Sequence, residues 1–210
     1  MIKTKDIVQD LGFELVYADT DSVFLKKNGA SLEDFEKIKD ILARKTGLPI
    51  SLENYYKFLV LLPLQADEKM EVLKHYFGIT HTRELNARGI EIRRHDAPNF
   101  IKELQTELLY NLFDCKDSAE VISKGYDFIT KTIDKVMTDE IQLQDLVISK
   151  FLGQHLDKYM SLFPHVAAAI QLGKAGKSSV GGDSIQYIYT EAHHSNPLPR
   201  VTALELIRRE

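Results

Sequence analysis

Two short apolar runs, residues 13–17 and 23–25, flank the polar stretch Asp19-Thr20-Asp21-Ser22. So few residues between two such runs leave room for a strand, a sharp turn and a second strand, and for little else. The predicted hairpin, residues 13–27 ending at Asn28-Gly29, carries Asp19 and Asp21 at its tip. Clustered carboxylates suit a hard divalent cation, because Mg²⁺ takes one or two of them and completes its shell with substrate phosphates. A pair of such ions supports in-line phosphoryl transfer. Asp also favours turns for its local hydrogen bonding, so the pair alone does not separate a metal site from an ordinary turn.

The hairpin sits in a mixed α/β region. Residues 2–10 read as the tail of a helix. Ser31, with Asp34 three residues on, is a helix start, and Leu32, Phe35, Ile38, Ile41 and Leu42 recur at helical spacing until Gly47 and Pro49 end the pattern. Residues 50–64 read as a long strand, and residues 72–79 and 87–93 as shorter ones. The character changes at Asp96-Ala97-Pro98. Phe100, Ile101, Leu104, Leu108, Leu109 and Leu112 then share one helical face, and residues 118–137 give a second helix. Residues 146–151 read as a strand, 166–172 as a short helix ending at Gly173, and 184–189 as an alternating strand. The boundary is placed between residues 1–95 and 96–210.

Charge is informative only locally. The net charge of −4 gives no global support for nucleic-acid binding. Between residues 74 and 102, however, six Lys or Arg stand against three acids, with His75, His81 and His95 interspersed. Such a stretch can bind phosphates on an acidic protein, or it can be a solvated strand face. No apolar run approaches the roughly 20 residues that span a bilayer, and the first residues lack the apolar core of a signal peptide. Cys115 is the single cysteine, so no internal disulfide forms, which fits a reducing, cytoplasmic setting. His193-His194 has no further ligand at metal spacing. Residues 173–178 miss the Walker pattern, because Gln171 stands where it needs its first Gly.

The segment Tyr17-Ala18-Asp19-Thr20-Asp21-Ser22 resembles the palm motif C of family B DNA polymerases. Leu73-Lys74-His75-Tyr76-Phe77-Gly78 is similar to the family's Lys-Lys-Arg-Tyr-x-Gly segment, and residues 88–96, beginning Arg88-Gly89-Ile90-Glu91, resemble the segment that opens the thumb. Residues 146–150 and the stretch from Tyr159 to Pro164-His165-Val166-Ala167 follow the order of later thumb segments in archaeal members. The resemblance implies an α+β fold, part of a polymerase palm (antiparallel sheet with helix) followed by a mainly helical thumb.

By position, the resemblance makes Asp21 the principal metal ligand and Asp19 the second catalytic acid, with Thr20, Ser22 and Glu53 as supporting residues. Tyr17, Lys74, His75, Tyr76, Arg88, Arg93 and Arg94 become candidates for primer–template contacts. The three arginines have a structural alternative, pairing with Glu91 and Asp96. His75 stands where the family usually has Arg, and Leu73 where it usually has Lys, so minor-groove tracking is expected to be weaker. The palm Asp of motif A, the triphosphate-binding fingers motif and the exonuclease acids are absent from these 210 residues. The resemblance therefore implies the small polypeptide of a split archaeal enzyme, or else a segment of a longer chain. The small polypeptide would be inactive alone and would complete a two-Mg²⁺ site with a large polypeptide, DNA and dNTP. Exposed strand edges of a half-palm would favour self-association when it is alone. A non-catalytic DNA-clamping subunit and an unrelated metal-dependent phosphohydrolase or nuclease are the other function classes.

Overall fold

The computed structural model describes residues 2–138 and 140–207. The chain divides into two compact units, Met1–Gly89 and Ile90–Glu210. Gly89, the last residue of the first unit, has φ +73°. No helix among the described residues is long and apolar enough to cross a membrane.

The first unit begins with helix α1 (Ile2–Asp10), which delivers the chain into the hairpin of β1 (Glu14–Asp19) and β2 (Ser22–Lys26). Helix α2 (Leu32–Thr46) follows. The Ser31 side chain accepts from the Asp34 N–H, and the Asp34 carboxylate accepts from the Ser31 N–H, satisfying two donors that a helix start would otherwise leave open. Gly47 closes the far end in the left-handed region. Ile7, Val8, Phe13, Ile38 and Leu42 form the core between the helices and the hairpin, with Phe13 edge-on to Phe35 at 5.4 Å.

A separate three-stranded antiparallel sheet, in order β3 (Tyr56–Leu64), β4 (Asp67–Thr80) and β5 (Leu85–Arg88), completes this unit. Residues 50–55, expected to be strand, are loop. Ser51, Glu53 and Asn54 break the apolar run, and Asn54 accepts a hydrogen bond from the Asn86 amide across the gap. Residues 87–93 are also not one strand: β5 stops at Arg88, and Glu91–Arg93 coil into a single 3₁₀ turn. Between its pairings through Glu71 and Tyr76, β4 carries more residues than β3 has opposite it, so residues 72–75 bulge out of the ladder.

The second unit has two helices, α3 (Asn99–Phe113) and α4 (Ser118–Met137), the second N-capped by Asp117. Besides them stands a core of its own: α5 (Pro164–Lys174) against the antiparallel sheet β6 (Ile148–Phe151), β7 (Ser184–Tyr189) and β8 (Val201–Ala203). Leu152, Val166, Ala167, Ala168, Ala169, Leu172, Ile185, Tyr187, Val201 and Ala203 are its buried residues. The three alanines let the helix backbone lie close on the sheet. Gln171 holds β8 in place: its amide NH₂ donates to the carbonyls of Leu198 and Val201, and its carbonyl accepts from the Ala203 N–H.

Candidate active site

The hairpin tip is tight. Asp19 pairs with Ser22, leaving Thr20 and Asp21 as a two-residue loop, and an extra residue in β1 between Leu15 and Tyr17 gives the hairpin a bulge. An aromatic cluster fixes the hairpin against the neighbouring sheet. Phe24 meets Tyr17 at 5.4 Å, Tyr76 at 5.1 Å and Tyr56 at 6.3 Å between ring centres. Burial, then the neighbouring Tyr76 and the acids Glu53 and Glu84, push the Tyr56 hydroxyl up to about 12, so it stays protonated.

Asp19 is anchored at this tip. One carboxylate oxygen accepts from the Thr20 N–H at 2.8 Å and from the Thr20 hydroxyl at 3.1 Å. The other lies 3.7 Å from the Lys74 ammonium and 3.8 Å from the Arg88 guanidinium. Burial opposes ionisation of this carboxyl, but the Thr20 hydrogen bonds and the two cations outweigh it and hold Asp19 below its ordinary value. Asp19 is thus an anion at any physiological pH. Asp21 differs: it is exposed and makes no ion pair with any described residue. Its carboxylate is open to a ligand from outside.

Local backbone geometry brings Lys74 to Asp19. Lys74 has φ +63°, rare for a residue with a side chain, and its N–H donates to the Tyr17 hydroxyl at 2.9 Å. Facing it is Gly89, also in the left-handed region; a Cβ there would sit 2.4 Å from the Lys74 carbonyl oxygen and 2.8 Å from the His75 ring. Only glycine lets the two segments approach so closely, and that approach brings Arg88 beside Asp19. These features were not visible to motif reading, although the Arg88-Gly89 dipeptide after a strand was their sequence signal.

The remaining candidates separate. Tyr17 is buried, and its hydroxyl supports Lys74, so it offers no ring face to a ligand. Tyr76 packs its ring on Phe24. His75 is half-buried, with Nδ1 2.8 Å from the Leu73 carbonyl oxygen. Glu53 lies exposed in the loop before β3, not on a strand. Ser22 pairs through its backbone with Asp19. In the second unit Arg93 is exposed, whereas Arg94 is committed to acids. It grips Asp96 with two parallel hydrogen bonds, at 2.9 and 3.0 Å, and reaches Glu91 at 3.3 Å.

Among the described residues, no three His, Cys, Asp or Glu side chains gather where they could hold a metal ion. The oxygen donors of Asp19 and Asp21 are of the kind Mg²⁺ takes, and Asp21 is uncommitted, so the tip fits part of a metal site and lacks the rest of a donor set.

The family model for DNA polymerase family B matches residues 2–208. The chain is 29% identical over 170 residues to a DNA polymerase of Archaeoglobus fulgidus, covering 81% of this chain and 20% of that one. It is 30% identical over 192 residues to a DNA polymerase of Thermococcus kodakarensis, covering 88% of this chain and 11% of that one. The chain thus spans a fifth or less of the length of these relatives. Among solved structures, the family B DNA polymerase from the archaeon Pyrobaculum calidifontis shares its fold with a TM-score of 0.66 at 23% identity, over 98% of this chain and 25% of that chain. With nearly its whole length matched by the family model, this chain belongs to DNA polymerase family B.

Proposed function

We propose that the chain supplies the motif C carboxylates and the thumb of a DNA-directed DNA polymerase. It works together with a large polypeptide that carries the rest of the palm and the fingers. One observation carries this reading: at a rigid hairpin tip, Asp19 is held by two cations while its neighbour Asp21 is exposed and uncommitted. A structural turn has no need of that division.

Asp21, with Asp19 behind it, would hold Mg²⁺ together with at least one carboxylate from the large polypeptide. Bound Mg²⁺ supplies Lewis-acid activation of the primer 3′-hydroxyl and charge neutralisation at the dNTP triphosphate. The chain's own residues do the positioning. Lys74 and Arg88 sit too far from the Asp19 carboxylate for hydrogen bonds, so their donors remain available to the phosphates of the primer–template. Asp19 keeps both cations at the tip and balances their charge. The aromatic cluster fixes the tip, which keeps the reorganisation needed at the moment of reaction small.

The test is extension of a primer–template by the purified chain with Mg²⁺ and dNTPs, alone and with the large polypeptide. The expected result is no extension alone, extension with both, and loss again with Asp21→Ala. That loss should fall on kcat, with an unchanged melting temperature. Extension by the single chain, or full activity of the reconstituted Asp21→Ala enzyme, would sink the proposal.

A further inference from the structure

Helix α4 carries a face that its own unit leaves uncovered. Ile122, Tyr126, Ile129, Ile133 and Val136 follow one another at intervals of four, three, four and three residues. They are 72, 73, 37, 55 and 44% exposed, and the adjoining Met137 is 76% exposed. This is the 3.5-residue period of a seam that meets another helix along its whole length. Helix α3 does not fill it: Leu112 reaches the Gly125 side of α4. A groove of about 210 Å³ runs between Phe100 and Leu104 of α3 and the C-terminal half of the seam.

We propose that this seam is a self-association surface, paired with the same seam of a second copy of the chain. Two observations select a second copy as the occupant. On the side of the seam away from α3 the adjoining positions are Ser123 and Thr130, exposed, small and uncharged, so close approach from that side meets no bulk and no charge. The helix itself is charge-balanced, with Glu120, Asp127 and Asp134 against Lys124, Lys131 and Lys135, so a copy of itself is not repelled. The area also fits. The six exposed side chains present on the order of 600 Å², the upper end of what a monomer leaves in its largest patch. Two copies pairing through them bury about 1,200 Å², the lower edge of the stable interface range. A twofold-related copy is the simplest arrangement, because each seam then meets its own equal.

The measurement is the mass of the full chain in solution by sedimentation equilibrium across a concentration series. A reversible dimer is expected, weakened about a hundredfold or more by Ile133→Glu and by Tyr126→Glu, and unchanged by Lys131→Ala on the far side of the helix and by Val60→Glu in the first unit. Because the seam residues are exposed, both seam variants should keep the helical circular dichroism and melting of the parent. Ile133→Ala and Tyr126→Ala serve if a charge disturbs α4. A monomer at every concentration, or a dimer that all seam variants leave intact, overturns the proposal, as does a dimer broken by Val60→Glu alone. So does hydrogen-exchange protection of α4 that arises only in a one-to-one complex with the large polypeptide. None of these outcomes bears on the role of Asp21.

Discussion

Each unit of the molecule sets one aspartate between two cations, and the two settings differ in kind. In the first unit Asp19 stands 3.7 Å from Lys74 and 3.8 Å from Arg88, and its hydrogen bonds go to Thr20. In the second, Asp96 takes two short hydrogen bonds from Arg94 and faces Lys150 at 3.5 Å. Opposite charges at these distances attract in both cases, but only the second arrangement ties its cation into hydrogen bonds, three of them from Arg94 to acids. Asp96 and Arg94 complete each other. Asp19 stands beside Lys74 and Arg88 without a hydrogen bond to either, an arrangement in keeping with the phosphate contacts proposed for the two cations. A charged cluster is therefore better judged by the donors it leaves unspent than by the charges it contains.

The largest effect expected from this contrast lies within the hairpin tip. In the reconstituted enzyme, Asp21→Ala should lower kcat by about a thousandfold or more, the scale of losing an electrostatic stabiliser made for the transition state. Asp19→Ala should also impair extension but should in addition raise the apparent Kd for primer–template, because Lys74 and Arg88 lose the anion that positions them. Equal kcat losses with unchanged DNA affinity in both variants would break the distinction between the two acids.

Gly89→Ala comes next. The left-handed φ and the contact with the Lys74 carbonyl both forbid a side chain, and the chain has to move apart there at a cost of about 3 kcal/mol. Urea denaturation of the first unit should show the loss. Arg88 shifts with the same displacement, so DNA affinity should fall too. A variant of parental stability would mean that the approach of the two segments is loose.

Arg88 and Arg94 then test the comparison directly. Arg88→Ala should weaken DNA binding and reduce the slope of log K against log salt by about 1, the signature of one lost phosphate contact, with little change in melting. Arg94→Ala should do the reverse, leaving the slope alone and lowering the melting temperature. Parallel salt titrations of the two variants decide; equal slope changes would place both arginines on the phosphates.

Much of this was legible in the chain. The hairpin announced itself because two apolar runs flank very few polar residues. The Ser31 box and Gly47 bounded α2, and α4 begins and ends at the residues its periodicity marked. The failures share a cause: each depends on a partner distant in sequence. In residues 50–55 the polar Ser51, Glu53 and Asn54 interrupt the apolar run, and Asn54 is met by Asn86, 32 residues further on. β8 is three residues long, paired with β7 along one edge and held along the other by Gln171 of α5, which binds Val201 and Ala203. At the candidate site the turn that carries Asp19 and Asp21 could be read from the sequence, whereas the difference in their surroundings could not. Lys74 and Arg88 are 55 and 69 residues away from Asp19, and only the bulge in β4 and the turn at Gly89 bring them to it.

The smallest effect belongs to the hydrogen-bonded pair of Arg94 and Asp96. The two hydrogen bonds from Arg94, opposed by partial burial and helped by the charges of Arg94 and Lys150, bring the Asp96 carboxyl down to about 2. An unfolded Asp titrates near 4, so the unfolded chain binds this proton first as pH falls. The stabilisation is complete above about pH 4 and is lost as pH drops through the folded value near 2. The pair is partly exposed, so solvent screening leaves it worth about 1 kcal/mol. Asp96→Asn should therefore lower stability by that amount at neutral pH and flatten the part of the stability–pH curve between about pH 4 and pH 2. Melting curves across that range would check it, with Lys150→Ala as a weaker version of the same change. If Asp96→Asn lowered stability equally at pH 2 and pH 7, the loss would come from packing, and the hydrogen-bonded ion pair would no longer explain the contrast with Asp19.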